Sequence, residues 1–82
     1  MAKAKNTKKL EKDLLDIVQA AADQYGADNI GVAIDDESDE FYVYYHSDSN
    51  GYPVAETEIL ADDVDRDYVT EQLDKMNVGY DF

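Results

Sequence analysis

At 82 residues the chain is one small domain, which leaves no room for a large buried cleft. A 44% apolar content set against a net charge of −13 excludes wholesale disorder and implies a fold with a heavily charged surface. With no cysteine there can be neither disulfides nor thiolate metal clusters, so stability rests on packing.

The first residues, MAKAKNTKK, carry lysines without an apolar signal region behind them, and no apolar run is long enough to span a membrane. A cytoplasmic protein is therefore expected. Residues 1–12 hold five lysines against Glu11, a balance of +4, while residues 13–82 hold nineteen acids against Arg66 and Lys75, a balance of −17. Residues 1–6 are expected to be a flexible lysine-rich leader to a single α+β domain over residues 7–82.

From Asn6 to Tyr25 the apolar residues Leu10, Leu14, Ile17, Val18, Ala21 and Tyr25 form the stripe of an amphipathic helix. Asn6 or Thr7 is the expected N-cap, and Gly26 the terminator. Ile30, Val32 and Ile34 then alternate with Gly31, Ala33 and Asp35 as a half-buried strand. The polar DDESDE suits a hairpin loop. In the next strand Phe41, Val43 and Tyr45 take one face, while Tyr42, Tyr44 and His46 take the other.

DSNG reads as a second turn, because Asn-Gly favours tight hairpins. The strand after it, YPVAETEILA, places Ala55, Thr57 and Ile59 on one face and Val54, Glu56 and Glu58 on the other. Pro53, lacking an N–H, belongs at the start of that strand or on a sheet edge. ADDVDRDYVTEQLDKM is a second helix, with acids at its N-terminus, Val69, Leu73 and Met76 at helical spacing, and Asn77 at its end. The tail NVGYDF is expected to cover the edge of the core. The order α-β-β-β-α defines an α+β fold, with both helices on one face of a three-stranded antiparallel meander.

Among site candidates, HSDSNGYPVAETE matches part of a calcium loop, with Asp48, Asn50 and Gly51 in register. The register fails where His46 replaces the first aspartate and Thr57 the bidentate glutamate. His46, the only histidine, has no nucleophile or phosphate loop to work with, and carboxylates on an open sheet are not desolvated enough for acid–base chemistry. Asp62, Asp63, Asp65 and Asp67 suit helix capping. Neither a catalytic site, a metal nor a cofactor is expected.

The reading that uses most residues is a binding surface made of Asp35, Asp36, Glu37, Asp39, Glu40, Tyr42, Tyr44, Asp48, Glu56 and Glu58. Carboxylates about 6.6 Å apart along a strand and about 4.8 Å apart across strands are spaced comparably to DNA phosphates. Tyrosines among them add rigid apolar contact area. The simpler account is that the tyrosines stabilise a strand pair and the acids solubilise the domain or adapt it to salt, since aspartate outnumbers glutamate fourteen to six. Yet a charge of −13 exceeds the magnitude of about 2–8 that solubility usually requires of a small domain.

In size, charge and element order the chain resembles the small acidic phage proteins that act as DNA mimics, particularly anti-CRISPR inhibitors and, more loosely, anti-restriction proteins and uracil-DNA glycosylase inhibitors. The resemblance implies that DDESDE, the Tyr42/Tyr44 face and Glu56/Glu58 occupy a groove meant for nucleic acid. The lysine-rich leader departs from that pattern. The expected function is a non-enzymatic inhibitor that blocks the basic nucleic-acid channel of a host defence protein, above all a CRISPR effector, in the host cytoplasm. It would not bind nucleic acid or membrane directly. The alternative is an acidic adaptor or housekeeping interaction domain from a halophile.

Overall fold

The computed structural model describes the backbone of residues 2–45 and 53–82 and the side chains of residues 9–45 and 53–82. Its elements run α1 (Ala2–Tyr25), a 3-10 turn (Ala27–Asn29), β1 (Ile30–Ile34), β2 (Glu40–Tyr45), β3 (Pro53–Leu60), a second 3-10 turn (Ala61–Asp63), α2 (Arg66–Met76) and β4 (Gly79–Asp81). The fold is α+β, but the described residues form a four-stranded sheet in the order β3-β2-β1-β4, which is mixed because β4 lies parallel to β1. This corrects the expected three-stranded antiparallel meander.

The apolar stripe of α1 is buried at Leu14, Val18 and Ala21 and packs on Ile30, Val32, Phe41 and Val43 of the sheet. Val69 and Leu73 of α2 join the same cluster, so both helices cover one sheet face. Each fully buried Leu, Ile or Phe contributes about 1.5–3 kcal/mol relative to its exposed state. On the solvent side of α1, Lys9 pairs with Asp13 at 3.3 Å and Lys12 with Asp16 at 3.1 Å. Exposed pairs one turn apart add only about 0.3–0.5 kcal/mol each. No helix among the described residues is long and apolar enough to cross a membrane.

Helix α1 begins at Ala2, so neither Asn6 nor Thr7 caps it and the expected leader is helical from its second residue. Alanine and lysine, which dominate that segment, are strong helix formers, and no breaker separates them from the stripe. Gly26 ends the helix as expected, at φ 97°, a conformation that L side chains rarely adopt. The side-chain amide of Asn29 donates to the Tyr25 carbonyl at 2.9 Å, satisfying one of the helix's last acceptors.

Helix α2 starts at Arg66, later than the acidic run that precedes it, because Ala61–Asp63 forms its own turn and Asp65 is the N-cap. The Asp65 carboxylate accepts from the N–H of Asp67 at 3.1 Å and of Tyr68 at 3.4 Å. Asn77 ends α2 in the left-handed conformation. The buried carboxylate of Glu11 on α1 accepts from the Asp65 N–H, tying the two helices together.

The tail does more than cover the core. Val78 is buried, Phe82 meets Phe41 edge-on at 5.4 Å, and the residues between them form the strand β4. Strand β4 is hard to read from sequence because its three residues show only a faint alternation and its partner β1 lies far away in sequence.

Candidate functional site

With both helices on one face, the other sheet face carries two rows of side chains set by strand register. Glu56, Tyr42, Ala33 and Asp81 form one row across β3, β2, β1 and β4. Pro53, Tyr44, Gly31 and Gly79 form the next. Gly31 and Ala33 are buried although no helix covers them. The Tyr44 ring lies across Gly31, so closely that a Cβ on the glycine would sit 2.5 Å from the tyrosine hydroxyl oxygen. Tyr42 and Tyr44 meet at a centroid distance of 6.1 Å with planes tilted by 55°.

The expected hairpin loop is present. Asp35 donates its N–H to the Glu40 carbonyl at 2.9 Å and accepts from the Asp39 N–H at 2.8 Å. The side chain of Asp35 accepts from the Glu37 N–H at 3.0 Å, and the Ser38 hydroxyl accepts from the Glu40 N–H at 3.3 Å. Asp39 takes a φ of 60°, which aspartate tolerates better than most residues. Its carbonyl accepts from the Ala61 N–H at 2.7 Å, which brings Asp62 and Asp63 to the same end of the domain as the loop.

Six of the residues singled out from sequence, Asp35, Asp36, Glu37, Glu40, Tyr42 and Glu56, line one open groove of about 500 Å³. Glu58 joins Glu40 and Glu56 in an adjoining depression, beside Leu60, which is 41% exposed. Asp39 shapes the loop at the groove's end, and Tyr44 stands one row away. His46, Asp48 and the DSNG turn lie outside the described residues.

Sequence reasoning missed Asp81 and the convergence of Asp62 and Asp63 with the loop. The signal for Asp81 was faint: Val78, Tyr80 and Phe82 alternate with Gly79 and Asp81. Asp81 reaches the tyrosine face only because β4 pairs with β1.

Acids occur in both layers, but positive charge does not. Between residues 27 and 65 there are twelve carboxylates and neither lysine nor arginine. The basic side chains that the structure describes, Lys9, Lys12, Arg66 and Lys75, all belong to the helices. The Tyr44 hydroxyl is pushed above its ordinary pKa by burial first, then by the negative charge of Asp81, then by Tyr42. It stays a neutral hydrogen-bonding group at physiological pH.

Among the described residues no group of three or more acids or histidines is arranged to hold a metal ion. Thr57, at the place where a calcium loop needs its bidentate glutamate, is instead a buried strand residue. Its hydroxyl donates to the Phe41 carbonyl at 2.8 Å and accepts from the Ile59 N–H at 3.1 Å. No family model, curated protein or solved structure matches this chain.

Proposed function

We propose that this protein is an acidic, non-enzymatic inhibitor that imitates DNA and occupies the nucleic-acid channel of a host defence protein, a CRISPR effector before others. The observation that carries the reading is that lysine and arginine are confined to the helices and missing from the stretch that forms β1, β2 and β3. From residue 27 to residue 65 the sequence holds carboxylates uninterrupted by any lysine or arginine, and both described helices pack on the opposite face of the sheet that this stretch forms. Such a field steers a basic groove toward the domain and raises the association rate. The tyrosines on the same face supply rigid contact area whose contribution is less sensitive to salt.

The test is competition between the domain and labelled duplex DNA for purified CRISPR effector complexes. Displacement of DNA is expected at low salt and should weaken steeply as ionic strength rises. The quadruple variant Asp36→Asn, Glu37→Gln, Asp39→Asn, Glu40→Gln should displace DNA at least about tenfold less well, on the scale of a few close charge pairs. Undiminished displacement by that variant, or equal potency in high salt, would refute the electrostatic mechanism.

A further inference from the structure

Tyr44 is laid against the sheet rather than standing off it. A Cβ on Gly31 would meet the Tyr44 hydroxyl oxygen at 2.5 Å, Cζ at 2.6 Å and Cε1 at 3.0 Å. The ring therefore crosses bare backbone, with one π face toward the sheet and the other outward. At the next position in that row, Gly79, a Cβ would meet nothing within 4 Å among the described residues. Asp81, two residues along β4 and on the same side of the sheet, stands exposed beside this position. The influence of Asp81 on the Tyr44 hydroxyl agrees with that closeness.

An aromatic face carries negative quadrupolar potential, and here it borders a glycine without a side chain and a full negative charge. A planar cation matches all three. Guanidinium is flat, weakly hydrated and able to stack on a ring while its edge donates to a carboxylate, whereas ammonium is compact and strongly hydrated. We infer that Tyr44, Gly79 and Asp81 form a receiving site for an arginine side chain of the basic partner, its stem over Gly79, its guanidinium on the Tyr44 ring and its N–H groups donated to Asp81. This rests on the proposed reading of the open sheet face as a docking surface for a basic protein. It adds a preference for arginine over lysine that phosphate-like charge alone does not provide.

Two peptides, one alternating arginine with glycine and the other lysine with glycine, distinguish the two ideas when titrated into isotope-labelled protein. The arginine peptide should bind about three- to tenfold more tightly, with the largest amide shifts at Tyr44, Gly79 and Asp81, as expected for a partly exposed cation–π contact. Tyr44→Leu should bring the ratio to about one, Tyr44→Phe should preserve it, and Asp81→Asn should weaken both peptides. The amide spectrum of each variant reports separately whether the fold is retained. Equal affinity for both peptides, binding of neither, or a preference that survives Tyr44→Leu in a folded variant overturns the arginine site. DNA competition that persists in the Tyr44→Leu variant leaves the inhibitor reading standing without it.

Discussion

The carboxylate of Glu11, fully buried on α1, accepts a hydrogen bond from the backbone N–H of Asp65, the residue whose own side chain caps α2. One helix thus satisfies the residue that starts the other, across 54 positions of sequence. The second carboxylate oxygen, Oε1, is buried without a hydrogen-bond partner among the described residues. Glu11→Ala should lower unfolding free energy by about 2–4 kcal/mol, combining an orphaned N–H with a cavity. Glu11→Gln keeps an acceptor for Asp65 and should cost less than half as much. Urea unfolding of the three proteins measures the difference, and equal losses for Ala and Gln would show that the hydrogen bond contributes little.

Gly31→Ala puts a methyl group where the Tyr44 ring lies, so the ring must swing off the sheet. Alanine suits a strand better than glycine does, which offsets part of the strain. A net loss of about 1 kcal/mol is expected, within the usual range for overpacking. Near-ultraviolet circular dichroism should change with it, since the Tyr42–Tyr44 geometry is disturbed. The same substitution at Gly79, where a Cβ meets nothing within 4 Å among the described residues, should leave both the spectrum and the stability nearly unchanged.

Because the Tyr44 hydroxyl is raised above 10.0 in the folded state, that state holds its proton more tightly than the unfolded chain does. The resulting stability is fully present below pH 10.0 and is lost as pH climbs through the folded-state value. Tyr44→Phe should therefore lose less stability than the parent between neutral pH and strongly alkaline solution. Asp81→Asn should lower the Tyr44 pKa only in part, because burial is the larger cause. Absorbance titration of the tyrosines, compared between parent and Tyr44→Phe, measures the shift, and an ordinary value for Tyr44 would contradict the packing over Gly31.

The sequence by itself determined the elements whose period is long enough to see. Leu14, Val18 and Ala21 repeat over several helical turns, and Ile30, Val32, Phe41 and Val43 alternate in strands next to one another in the chain, so their burial followed from spacing alone. The helix ends at Gly26 and Asn77 were legible because each is set by the backbone freedom of one residue. Most of the acidic groove was legible too, since Asp35 to Glu40 are contiguous and Glu56 follows on the neighbouring strand. What only the tertiary structure decided are contacts between segments distant in sequence. The parallel pairing of β4 with β1 set Asp81 on the tyrosine face, the Asp39–Ala61 hydrogen bond drew Asp62 and Asp63 to the loop, and Glu11 found Asp65. Residue spacing records which face of its own element a side chain occupies, whereas the neighbour of that element is chosen by packing the whole core.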